Sequence, residues 1–229
     1  MVKTRAELKI AAKAAIKPHY WRMVGVTLLA GILMMACVAI NVTVTVTSGA
    51  DVKIFDFKDA ISILWSIFVA TPVMLGLLRF YLNIARDGSG RLGDLFYMYK
   101  GGGFWNALSV YIYETVFVYL WTLLLIVPGI IKSMQYFMIN YMLAENPNMP
   151  RKQAFEITKA GMRGHLGDLF VFGLSFLGWA VLGGVTLGIG MVFIAPYINA
   201  ACVQFYLDIK QRTIEAGVAT EADFLAASE

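Results

Sequence analysis

Long apolar runs alternate with short polar connections along most of this chain. The runs cover residues 24–46, 61–84, 104–127, 130–145, 166–185 and 191–209. Each of the longer ones suffices to cross ~30 Å of hydrocarbon as a helix. The far end of the first, Asn41-Val-Thr-Val-Thr-Val-Thr47, has a strand-like composition. A lone strand in lipid would leave its backbone unpaired, so helix is expected there too. Pro72 predicts a kink in the second run. The central stretch climbs to Val127, turns at Pro128-Gly129 and descends to Glu145, with only Glu114 and Lys132 charged inside it. The pattern predicts an all-α, polytopic membrane protein, one domain over 1–229, with six spans paired as hairpins over 24–84, 104–145 and 166–209.

Three polar segments carry a helical period of their own. Over residues 4–17, Arg5, Lys9, Lys13 and Lys17 form one stripe, with Leu8, Ala11, Ala12, Ala15 and Ile16 on the other face. Thr4 and Glu7 fit a capping box, Pro18 ends the segment, and Tyr20 and Trp21 mark an interface. Residues 90–99 place Leu92, Leu95, Phe96 and Tyr99 on one side. Residues 150–163, opened by Pro150, set Lys152, Glu156, Lys159 and Arg163 on one face and Phe155, Thr158 and Met162 on another. All three are expected to lie in the headgroup plane, with Arg5, Lys9, Lys13, Lys17, Lys152, Lys159 and Arg163 against anionic lipid. A polar, helical tail follows over 210–229.

Charge sets the orientation. Basic residues gather at 3–22, 86–100, 151–163 and 210–212, whereas the alternate connections are acidic (48–59), nearly uncharged (128–132) or uncharged (184–190). The excess of Lys and Arg on one side predicts that both termini are cytoplasmic.

The three hairpins share an order of parts, with similar exits at Arg79-Phe80-Tyr81-Leu82, Asn140-Tyr141-Met142-Leu143 and Gln204-Phe205-Tyr206-Leu207. This reads as a threefold repeat, best matched between residues 80–84 and 205–209.

Composition removes other classes. The chain has 229 residues, 59% hydrophobic and 15% charged, against about 25% charged in soluble domains. No segment is left for a soluble catalytic domain. A net charge of +4 suits an anionic leaflet and is too scattered for nucleic acid. Cys37 and Cys202 fall inside apolar runs and read as packing residues.

The stretch Leu123-Leu-Leu-Ile-Val-Pro-Gly-Ile-Ile-Lys132, with Leu143-Ala-Glu-Asn-Pro147, the lysine-rich first helix, Gly178-Trp179 and Thr186-Leu-Gly-Ile-Gly190, resembles the DUF975 bacterial membrane proteins. A more distant likeness is to the membrane domain of glycerophosphodiester phosphodiesterases, whose catalytic domain is separate. The resemblance implies a bacterial plasma membrane and this topology, and no particular activity.

Few residues could carry chemistry. Glu114 sits about ten residues into the third span, ~15 Å deep by residue counting, where a carboxylate is either functional or a paired packing group. Its possible partners are Asn140, Asn199, Arg79 and Gln204. Arg79 is expected to snorkel or to reach Glu114. The set could line a cavity or act as interhelical glue. His19 and His165 make a weak metal site, so neither metal nor cofactor is expected. Asp94 and Asp168, each in Leu-Gly-Asp-Leu-Phe, fit helix N-terminal charges. The expectation is a non-enzymatic membrane protein that contacts lipid or serves a membrane-protein partner or its own copies. The alternatives are a small transporter or channel around Glu114 and, least, a membrane-embedded enzyme.

Overall fold

A computed structural model of the chain describes residues 4–47, 57–100, 102–186 and 188–225. Most of the acidic loop expected over 48–59 lies outside the described residues, as do Gly101 and the last four residues of the tail. Every regular element among the described residues is helical.

Helix α1 (Arg5–Ile16) begins as its sequence requires. The Thr4 hydroxyl accepts from the Glu7 N–H and the Glu7 carboxylate accepts from the Thr4 N–H at 2.5 Å, a complete capping box. Pro18 has no N–H to continue the ladder, and the chain turns by 93° into α2 (Tyr20–Thr47). The β-branched end of that run is helical to Thr47. The second apolar run forms α3 (Phe57–Trp65), a π-helical turn (Ser66–Ala70) and α4 (Thr71–Asp87). The π turn ends two residues before Pro72, and the Ser66 carbonyl accepts from both the Thr71 N–H and its hydroxyl, the latter at 2.9 Å. The irregularity is therefore paired internally. A 3₁₀ turn (Leu92–Phe96) and the short α5 (Tyr97–Lys100) fill the second expected surface segment. They bury Leu95 and Met98 and expose Leu92, Phe96 and Tyr99. The 3₁₀ turn presses on α4, where a Cβ on Gly76 would stand 2.6 Å from the Asp94 carbonyl oxygen.

The central hairpin departs from its expected turn. Helix α6 (Phe104–Leu124) ends at Leu125, whose backbone is extended, and α7 (Ile126–Gln135) starts at once. The reversal is thus at Leu125, and Pro128 and Gly129 lie inside the first turn of α7. The first-turn N–H groups have no intrahelical partner, so Pro128 costs little there. Gly129 permits a close approach, since a Cβ would come within 2.6 Å of the Thr122 Cα. Tyr136 separates α7 from α8 (Phe137–Glu145).

Helix α9 (Arg151–Gly161) takes Pro150 as its N-cap and buries Phe155 and Thr158, with Met162 beyond its end. The fifth apolar run is two helices, α10 (Leu166–Leu174) and α11 (Leu177–Val185). Helix α12 (Ile189–Glu215) merges the sixth run with the start of the polar tail and carries Pro196 in its interior. Gly217, at φ 69°, turns the chain into α13 (Glu221–Phe224).

Among the described residues, four helices are long and apolar enough to cross a membrane: Ile61–Asp87, Phe104–Leu124, Leu166–Val185 and Gly190–Glu215. Helix α1 with the start of α2, taken as one bent span, adds a fifth. Burial is uneven along these helices. The packed end gathers Phe80, Tyr81, Tyr141, Met142, Phe205 and Tyr206 from α4, α8 and α12, covered by α1 and α9. The other end is apolar and open, with Leu123 72%, Val127 66% and Val185 76% exposed. A surface of that kind is ordinary against lipid and a liability in water.

Candidate functional site

The packed end is held by charges four or five residues past Tyr81, Tyr141 and Tyr206. Tyr81, Tyr141 and Tyr206 are buried, and Tyr141 stacks on Tyr206 with centroids 4.9 Å apart. Beyond them stand Arg86, Glu145 and Lys210. Glu145 is the last residue of α8, and its side chain is only 3% exposed. One carboxylate oxygen accepts from the Arg86 guanidinium, and the other accepts from the Lys210 ammonium at 2.8 Å. Lys210, 5% exposed, also donates to Glu221 at 3.1 Å and lies 4.5 Å from the centre of the Phe224 ring. Asn146 and Gln153 donate to the carbonyl and carboxylate of Asp223 at 3.0 and 2.7 Å. The C-terminal helix is thereby fastened to α8 and α9. A cavity of about 200 Å³ lies beside this cluster, lined by Arg79, Asn83, Arg86, Glu145 and Phe224. Both oxygens of Glu145 are taken up by cations, so it serves as an electrostatic link between helices rather than as a base.

Asp223 lies outside the apolar helices, and its carboxyl is held below its usual range. The Thr220 N–H and hydroxyl contribute most and the Gln153 amide adds to them. These bonds also cap α13.

The residues expected around Glu114 are placed separately. The Arg79 guanidinium donates to the Ala144 and Glu145 carbonyls at 2.9 and 3.3 Å and stacks 3.4 Å from the Tyr97 ring centre. It does not pair with Glu114; it satisfies the open carbonyls at the end of α8. Asn199 donates to Ala195 one turn back in α12, at 3.0 Å. Gln204 is buried in α12. Glu114 is buried on α6, and one of its oxygens, like the Asn140 side-chain oxygen, is enclosed with no hydrogen-bond partner among the described residues. Its neighbour Tyr113 lies under the Arg151 guanidinium at 4.5 Å. The first turns of α6 belong to the packed end, where Asn106 donates to the Pro147 and Met149 carbonyls at 2.8 Å.

The basic helices are amphipathic as expected, but their apolar edges meet protein. Leu8, Ala12 and Ile16 are buried, and α1 packs on α12 and α4. Lys9 lies 4.8 Å over the Phe176 ring and Lys13 5.9 Å over Tyr197. Lys13, Lys17, Lys152, Lys159 and Arg163 are exposed, and the Arg5 side chain lies outside the described set. His19 lies against Gly88, whereas His165 lies 3.3 Å from Asp168. Asp94 accepts from the Arg91 N–H at 2.8 Å, at the start of its 3₁₀ turn.

Residues 123–213 match the model of DUF975, a family described as proteins of unknown function. The match takes in α7 to α12, hence Glu145, Lys210 and the cations of α9, and stops short of Glu114 and Arg86. It carries the first likeness seen in the sequence and not the second, to the phosphodiesterase membrane domain. No curated protein and no solved structure matches the chain.

The Glu145 cluster was not anticipated. Its signal was available: aligning the three exits on their tyrosines places Arg86, Glu145 and Lys210 at nearly the same step, two positive and one negative.

Proposed function

We propose that this chain is a non-enzymatic, multi-pass protein of a bacterial plasma membrane that holds anionic lipid against its basic helices, alone or as an accessory to another membrane protein. In this reading the six apolar runs cross as three hairpins with both termini cytoplasmic. α2 and the broken pair α7–α8 supply the spans beyond the four long apolar helices. The observation that carries the proposal is the construction of α1 and α9. Each spends its apolar edge on the helix bundle, while Lys13, Lys17 and Lys159 stay exposed with no carboxylate partner among the described residues. A polybasic surface beside apolar helices attracts anionic headgroups at about 1 kcal/mol per cation near the surface.

The test is lipid enrichment in polymer-bounded discs cut from vesicles of equal phosphatidylglycerol and phosphatidylcholine. The wild-type chain is expected to carry excess phosphatidylglycerol, and Lys9→Glu with Lys13→Glu to lose much of it. Equal lipid composition in the two proteins would overturn the proposal.

A second reading rests on Glu114, whose enclosed, partnerless oxygen is unusual for a packing group. A transporter using it would show pH-dependent flux in vesicles that Glu114→Gln abolishes. Flux equal to that of empty vesicles eliminates it.

A further inference from the structure

Between α6 and α9 lies a pocket of about 430 Å³ that the cation stripe alone did not reveal. Its floor is four aromatic rings in a closed circuit. Tyr113 meets Phe155 at 5.5 Å, Phe155 meets Tyr136 at 5.0 Å, Tyr136 meets Phe117 at 5.9 Å, and Phe117 returns to Tyr113 at 6.2 Å. Its rim is charged. Arg151 stands 4.5 Å over Tyr113, and Lys159 stands 6.0 Å from the Phe155 ring centre. Lys152 is 4.0 Å from Glu156, so that acid is shared with one cation of the three. Arg151 and Lys159 have no carboxylate partner among the described residues.

The pocket is continuous with the open apolar end. Tyr113, Phe117, Leu120 and Leu124 follow one another at helical spacing along one face of α6, and Leu120 and Leu124 are exposed. Cations at one end and an apolar track leading away from them form the complement of a phospholipid. The rings already carry the protein's own cations, which disfavours a quaternary-ammonium headgroup and favours a negative one.

We infer that this pocket seats one anionic phospholipid, its phosphate between Arg151 and Lys159 and an acyl chain along Phe117 towards Leu124. The inference rests on the lipid-holding reading and assigns it a discrete site. It is tested by native mass spectrometry of the full chain in mild detergent, titrated with phosphatidylglycerol, phosphatidylcholine or inorganic phosphate. The wild type is expected to bind one phosphatidylglycerol before any others. Arg151→Ala with Lys159→Ala should weaken that first binding about tenfold, while Lys9→Glu with Lys13→Glu leaves it in place. Because both pocket substitutions are at exposed positions, an unchanged melting temperature verifies their fold, and Lys159→Arg should retain binding if the first variant melts early. Unaltered first binding in the Arg151/Lys159 variant overturns the site while leaving the general lipid reading intact. Equal binding of phosphatidylcholine by the wild type overturns both. Binding of inorganic phosphate with no binding of phosphatidylglycerol also refutes a phospholipid site.

Discussion

Removing the Glu145 carboxylate should be among the most damaging single changes in the packed end. In Glu145→Ala, Arg86 can swing towards solvent, because its side chain is already 37% exposed. Lys210 cannot, because only 5% of its side chain is exposed. Its remaining carboxylate is Glu221 at 3.1 Å, which is 61% exposed and sits on a four-residue helix. Deleting one member of a buried pair costs about 3–5 kcal/mol, chiefly through the charge left behind. Glu221 offsets part of this, so roughly 3 kcal/mol is expected, at the lower end of that range. For a chain of this size each kcal/mol moves the melting temperature by about 2–4 °C, giving a fall of roughly 6–12 °C. Tryptophan fluorescence during a thermal ramp in detergent measures it. The double change Glu145→Ala with Lys210→Met should recover most of the loss, since an apolar replacement of a buried pair is often neutral. Glu156→Ala, which breaks an exposed pair, should shift stability by no more than about 0.5 kcal/mol. A Glu145→Ala protein that melts like wild type, or a double variant no better than the single, would refute the reasoning.

Three further outcomes follow from the geometry. Gly129→Ala should destabilise the central hairpin by about 1–3 kcal/mol through overpacking against Thr122, read as a lower melting temperature. Gly129→Leu should prevent folding of the hairpin. The carboxyl of Asp223 is held down by its bonds to Thr220 and Gln153. Its contribution to docking the C-terminal segment is therefore complete above the ordinary Asp range, near pH 4, and is lost as pH falls through the lower folded value. Proteolytic trimming of the C-terminus should accelerate on that descent, and Asp223→Asn should trim quickly at every pH.

Much of the architecture was legible because it depends on local rules. The capping box at Thr4 and Glu7, the stop at Pro18, the helical conformation of residues 41–47 and the buried face of α9 all follow from periodicity and backbone chemistry. Failures came where tertiary contact decides. Pro128-Gly129 reads as a turn in isolation, but proline is equally at home in a first helical turn, and Gly129 is required by Thr122 across the hairpin. Arg79 found the open carbonyls of α8, a partner that no charge pattern advertises. The aromatic circuit joins α6, the α7–α8 junction and α9 through Tyr113, Phe117, Tyr136 and Phe155, residues that look like unrelated belt aromatics when read in line.

The most direct test of the lipid-holding account is a quantitative inventory of what co-purifies with the natively expressed chain in mild detergent. The account predicts anionic phospholipid retained at a fixed molar ratio, with at least one molecule surviving extensive washing. Loss of all lipid on washing, or retention of lipids in the same proportions as the surrounding membrane, would contradict it.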